Sequence, residues 1–233
     1  MIGHHLKRAH GRLRWYADSD HGLAALLVLL ILYIFVVYPL DQGDPLIGGI
    51  ASVAFSLILV AGVVATATHN AIRWGVLVLA CIGLATHWSN VFQSGRVDHM
   101  VSAATAVLFF ATQTWFLLHR VFARGTVNAY RILGAIAVYL VLGLLWANAY
   151  VFVYLWSPSS FAFSPGAQQQ EPPSSEMLYF SFVTLTTVGY GDITAVHPVA
   201  RSLVMMEALV GQIYPAVLLA RLVTQYQSPT HHG

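Results

Sequence analysis

Seven residues near the C-terminal end, Thr186-Thr187-Val188-Gly189-Tyr190-Gly191-Asp192, have types and spacing that point most directly to chemistry. They offer a run of neutral oxygens: the backbone carbonyls of Thr187, Val188, Gly189 and Tyr190, with the Thr187 hydroxyl. Stacked rings of such oxygens replace the water around a dehydrated cation, yet hold it weakly enough to let it go. Gly189 and Gly191 suit this use, because turning successive carbonyls to one side needs dihedrals that a Cβ forbids. Val188 and Tyr190 then point away from the ion and pack behind the run. Gly-Tyr-Gly-Asp alone is common in polar loops; here it belongs to a seven-residue run between two hydrophobic stretches.

Such a run must be held at membrane depth, and the composition supplies the means. The chain has 233 residues, 58% hydrophobic and only 9% charged, with the apolar residues in runs long enough to cross a bilayer. It reads as an all-α integral membrane protein with spans near 22–39, 46–68, 72–90, 101–122, 129–156 and 197–226. Thr86, His87 and Ser89 dilute the end of the third. Between the fifth and sixth, a Pro/Ser/Gln-rich stretch leads to a short apolar helix at about 175–186, started by Pro172, Pro173 and Ser174 with Glu176 in its first turn. Too short to span, it reads as a re-entrant pore helix buried in protein. Cys81 lies inside an apolar run and is a packing residue without an intrachain partner.

Charge gives the orientation. Alternating loops from a cytoplasmic N-terminus place Lys7, Arg8, Arg12, Arg14, Arg73, Arg120, Arg124, Arg131 and Arg221 inside, and only Arg96 and Arg201 outside. Both termini are then cytoplasmic and the 186–192 run lies at the outer mouth. Trp15, Trp88 and Trp156 near span ends fit interfacial anchors.

The TTVGYGD run resembles the selectivity filter of potassium channels, and the likeness extends over about 127–227 as outer helix, pore helix, filter and inner helix. It implies potassium bound by the carbonyls of Thr187, Val188, Gly189 and Tyr190, with Gly191 completing the filter. One filter cannot surround an ion, so a homotetramer in the lipid bilayer follows. The expected organisation is a cytoplasmic segment 1–21, a four-helix sensor-like domain 22–126, a pore domain 127–227 and a short tail 228–233. The sensor-like part resembles that of six-span channels in number and order only. Its fourth span, Met100 to Arg120, has no basic residue before His119, so steep voltage gating is not expected.

The same likeness singles out supporting residues. Tyr179 occupies the pore-helix position from which an aromatic residue bonds the aspartate after the filter, here Asp192. Gly211 falls at the hinge glycine of the inner helix, and Pro215 one turn on favours a kink. For both, a moving hinge and a fixed packing feature remain open. Leu219 and Val223 are candidates for an apolar constriction, by helical spacing from Gln212, which is placed facing the cavity. Glu207, an ionisable group deep in an apolar span, is a functional candidate by default. Two readings stay open for it: a group behind the filter, hydrogen-bonded to the pore helix, charged or protonated, and standing in for the buried glutamate that some potassium channels carry at the position of Val183; or a neutral, hydrogen-bonded structural carboxyl. Thr194 sits where channels highly sensitive to external tetraethylammonium carry an aromatic residue.

The expected function is passive, potassium-selective conduction, with a weakly selective cation channel as alternative. Tyr190 argues against that alternative, since sodium-admitting relatives often replace it. A membrane haem or redox protein is the alternative from another class. His69, His87 and His119 lie near span ends, but no pairing at one depth is visible and no Cys-x-x-Cys-His run occurs. Neither Gly-x-Ser-x-Gly nor His-Glu-x-x-His occurs, and no enzyme activity or cofactor beyond potassium ions in the pore is expected. No nucleic-acid partner or cytoplasmic ligand-binding domain is expected, and a prokaryotic plasma membrane is the expected location. His197 is a candidate for sensitivity to external pH.

Overall fold

The computed structural model describes residues 22–37, 40, 45–66, 70–92, 95–123, 129–164 and 173–226. The segments 1–21 and 228–233, with Lys7, Arg8, Arg12, Arg14, Arg124 and His69, lie outside the described residues. So does Pro172.

The protein is an all-α membrane protein. Its elements in order are α1 (Gly22–Val37), α2 (Pro45–Thr66), α3 (Asn70–Phe92), α4 (Arg96–Val121), α5 (Ala129–Trp156), β1 (Phe161–Phe163), α6 (Ser174–Leu185), β2 (Ile193–Ala195) and α7 (Pro198–Tyr226). Helices thus stand at all six apolar stretches. Four of them, within α2, α4, α5 and α7, are long and apolar enough to cross a membrane. α1 is shorter and closes in a π turn at Tyr33–Val37. α3 has the length but is diluted by polar residues at both ends, among them Asn70, Arg73, His87 and Asn90.

Local chemistry sets several boundaries. α2 and α7 open on prolines, whose fixed φ suits the first turn. α4 has Asp98 in its first turn and His119 and Arg120 in its last, each matching the sign of the helix dipole. α6 starts at Ser174 with Glu176 in its first turn.

α4 and α5 form an antiparallel pair fastened at both ends. At one end the Arg96 guanidinium donates twice to the Leu155 carbonyl, from Nε at 2.8 Å and Nη2 at 2.6 Å. At the other, Gly134 lets the pair close: a Cβ there would sit 3.2 Å from Val121 and 3.5 Å from Leu23 of α1. Packing therefore runs without a break across the sequence boundary drawn at 127. Within the first four helices, Phe55 of α2 meets Phe110 of α4 edge to face, at 6.0 Å between ring centroids.

The pore-side elements add one small sheet that composition did not announce. β1 and β2 pair antiparallel in the register Phe161↔Ala195, Ala162↔Thr194, Phe163↔Ile193. Ser164 N–H donates to the Asp192 carbonyl at 2.8 Å and Val196 N–H to the Ser160 carbonyl at 2.9 Å, extending the pairing at both ends. The far end of α7 is also tied down. Arg221 Nη2 donates to the Ala123 carbonyl at 2.6 Å, and its guanidinium lies over the Phe122 ring at 5.0 Å. Between these ties α7 keeps much apolar surface open in the single chain, including Met205, Leu209 and Ile213.

Candidate functional site

The site is built at the C-terminal end of α6. The helix closes on Thr186, whose hydroxyl donates to the Phe182 carbonyl at 2.6 Å. The next three amides turn back onto the last turn of the helix: Thr187 N–H to Thr184 O at 2.9 Å, Val188 N–H to Val183 O at 2.9 Å, and Gly189 N–H to Val183 O at 3.3 Å. With the amides committed backwards, the carbonyls are left for the other side.

Backbone handedness alternates along the run. Thr187, Gly189 and Gly191 have φ of 59°, 59° and 79°, and among the described residues they alone have positive φ. Val188 and Tyr190 between them do not. In a regular strand successive carbonyls point to opposite sides; reversing every second residue brings them towards one side. Glycine takes these dihedrals at little cost, whereas a β-branched threonine in this region is a strained outlier. Two bonds hold Thr187 there, its own amide to Thr184 and its Oγ1 accepting from Gln212 Nε2 at 2.8 Å. Nothing in the sequence announced the positive φ of Thr187.

Val188 and Tyr190 stay 52% and 72% exposed, so the described residues of one chain leave them largely open.

Behind the site lies a buried polar knot. Glu207 of α7 is fully buried, with Oε2 accepting from the Tyr150 hydroxyl of α5 at 2.5 Å and Oε1 2.6 Å from the Ser181 hydroxyl of α6. Ser181 Oγ also lies 2.8 Å from the Gly143 carbonyl of α5. One hydroxyl has one proton to give, so Ser181 satisfies both neighbours only when Oε1 brings a proton of its own. Three helices meet at this carboxyl. The sequence marked Glu207 as needing a partner but not which one: Tyr150 lies 57 residues away.

Gly211, one turn along, is buried where α7 crosses the end of α6, and a Cβ there would run into the Leu185 carbonyl. The Tyr139 hydroxyl donates to that same carbonyl at 3.0 Å. Close packing alone therefore accounts for glycine at 211. α7 continues through Pro215 to Tyr226, although Pro215 offers no N–H to the Gly211 carbonyl. Gly143 is a second close approach, its α-carbon facing the Phe182 ring without room for a Cβ.

Tyr179 of α6 is hydrogen-bonded to Asp192. Desolvation, then this bond and the Asp192 charge, push the Tyr179 hydroxyl up to about 12, so it keeps its proton as a donor at neutral pH. Asp192 Oδ1 accepts from the Ile193 amide at 3.1 Å. Thr194 is exposed on β2 opposite Ala162. Leu219 and Val223 are exposed on the same face of α7 as Gln212, seven and eleven residues on. The His197 ring lies edge-on to Trp156 at 5.7 Å and its Nδ1 accepts from the Val199 amide at 3.3 Å. His87 packs against Phe55 at 4.7 Å between centroids.

Residues 136–228 match the model of a family described as "Ion channel". The chain is 38% identical over 87 residues to Protein LctB of Bacillus caldotenax, covering 36% of this chain and 64% of that protein. It is 38% identical over 92 residues to Protein LctB of Geobacillus stearothermophilus, covering 40% and 61%. It is 36% identical over 74 residues to Two pore potassium channel c of Oryza sativa subsp. japonica, covering 32% and 16%. The chain thus spans less than two thirds of the length of the relatives it matches. The similarity to ion channels covers the stretch that carries α6, the 186–192 run and α7.

Proposed function

We propose that this protein is a potassium-selective channel in which four copies place their 187–191 runs around one axis. The observation that carries the reading is the alternation of φ at Thr187, Gly189 and Gly191, with the neighbouring amides bonded back to α6. That backbone leaves the carbonyls of Thr187, Val188, Gly189 and Tyr190 free to replace a hydration shell. A ring needs more than one chain. The open faces of Val188, Tyr190 and the apolar side of α7 are the surfaces that neighbouring copies would cover. The rice relative is a potassium channel by name, which favours potassium over sodium. Conduction is passive and six helices per subunit lie in the membrane. The first four act as a scaffold, because α4 offers no ladder of basic residues to move in the field. Leu219 and Val223 narrow the inner mouth on this reading.

The test is reconstitution of the purified full chain in planar bilayers with mixed potassium and sodium. A reversal potential that follows the potassium gradient, with barium block, is the expected result. Equal sodium and potassium permeability would end the selective reading and leave a weakly selective cation channel in its place.

A further inference from the structure

Among the described side chains of α7, Gln212 is the polar one that reaches the ion-facing run itself, its Nε2 lying 2.8 Å from Thr187 Oγ1. We infer that Gln212 is the positioning residue of the innermost cation site, an assignment that rests on the channel reading. Thr187 is the first of the carbonyl-bearing residues of the run, and on the channel reading its side-chain oxygen is the first of their ligands that a cation from the inner side would meet. A hydroxyl oxygen has two lone pairs. The amide N–H occupies one and thereby fixes the side-chain rotation, leaving the other for a cation. Without that donor the hydroxyl rotates freely and its oxygen points inward only part of the time.

The anchor itself is firm. Gly211, the preceding residue, is seated on the Leu185 carbonyl, which Tyr139 also holds. Tyr214, two residues on, donates to the Ala135 carbonyl at 2.8 Å. Gln212 is therefore presented to Thr187 by a helix face clamped on both sides of it. Thr187 needs the help, because its positive φ is unfavourable for a β-branched residue. In a four-fold assembly the bond occurs four times around one ion, so a single substitution alters every side-chain ligand of that site at once.

The experiment is barium block of potassium current in reconstituted channels, with barium on the inner side and, separately, tetraethylammonium on the outer side. In Gln212→Leu, which keeps the bulk and loses the donor, inner barium block is expected to weaken by about tenfold, the loss of roughly one hydrogen bond's worth of orientation. Outer block, weak in the wild type and therefore read at high tetraethylammonium concentration, depends on the opposite mouth near Thr194 and is expected to stay as in the wild type. A general disturbance of the pore would move both. Gln212→Asn, whose amide is one carbon too short to reach, is expected to behave like Gln212→Leu and serves if the leucine variant does not assemble. Wild-type inner barium block in either conducting variant would overturn this inference alone. Equal loss of inner and outer block would also overturn it. A wild-type chain that passes no potassium current would overturn the channel reading and this inference with it.

Discussion

Glu207 Oε1 lies 2.6 Å from the Ser181 hydroxyl, so α7 is bonded, inside the protein, to the middle of α6, the helix that leads into the carbonyl-bearing run. With Tyr150 on the other oxygen, the three helices around the run share one carboxyl. A buried group of this kind is stabilising only while every member is paired.

The proton inventory of this knot gives the first prediction. Glu207→Gln keeps one acceptor for Tyr150 and one donor for Ser181, and is expected to assemble and conduct as the wild type does. Glu207→Ala leaves the Tyr150 hydroxyl facing a void, at about 1–3 kcal/mol for the orphaned group, while Ser181 keeps the Gly143 carbonyl. Thermal unfolding of the purified oligomer checks the pair. A glutamine variant as unstable as the alanine variant would show that a full negative charge is required at 207.

Gly189 and Gly211 are both expected to resist substitution by alanine, for different reasons. Among the described residues of one chain nothing lies within 4 Å of the place a Cβ would take on Gly189, so the cost is conformational: φ of 59° disfavours any residue with a Cβ by ~1–2 kcal/mol per chain. Gly189→Ala should therefore assemble and lose potassium selectivity. At Gly211 the obstacle is the Leu185 carbonyl, so Gly211→Ala should displace α7 from α6 and lower the stability of the assembly itself. Size-exclusion chromatography with reversal potentials separates these outcomes. Normal assembly of Gly211→Ala with wild-type stability would contradict the packing argument.

Voltage dependence is expected to be weak. Between Met100 and Leu118 α4 carries no basic residue, and each charge moved contributes only ~2.3 kcal/mol per 100 mV. Gating-current measurement is the check. Several elementary charges moved per channel would refute the scaffold role of the first four helices.

At the outer mouth, Thr194 is exposed and has no π face, so external tetraethylammonium should block poorly. Thr194→Tyr should strengthen block through cation–π contacts of ~0.5–2 kcal/mol each. Dose–response curves on both channels decide it, with selectivity checked alongside. No gain in the mutant would mean that residue 194 does not face the ion path.

The Tyr179–Asp192 bond has a defined pH window. Its tyrosine pKa is raised to about 12, above the ordinary value of 10.0, so its contribution is complete below the ordinary value and is lost as pH rises through the raised one. Tyr179→Phe removes the bond at every pH. The variant should lose current faster during sustained conduction, at neutral and mildly acidic pH alike. Wild-type persistence of current in the variant would show that the bond does not brace the outer end of the run.

What could be read from the sequence was whatever a short window contains. The glycine spacing at 189 and 191 is a local pattern, and so are the apolar runs that became helices and the Ser174–Glu176 start of α6. α1 and α3 show the limit of this reading, because span length and dilution by polar residues decide there by small margins. Of the pairings between distant residues, only those that the resemblance implied, Tyr179 with Asp192 and Glu207 with the pore helix, were legible. Glu207 required a partner, yet Tyr150 and Ser181 are two among several hydroxyls in apolar stretches, and only the crossing of α5, α6 and α7 selects them. The β1–β2 pairing is likewise beyond a window, since three-residue strands have no periodicity to detect. The strain at Thr187 follows from its bonds to Thr184 and Gln212, not from its residue type.

The seat of Gly211 on the Leu185 carbonyl bears on how descent with modification should be judged at this position. Any descendant that keeps the crossing of α7 over the end of α6 must keep glycine there, whether or not its inner helix ever bends. Retention of the residue through evolution would thus record a contact distance, and lineages free to replace it would be those in which the two helices had moved apart.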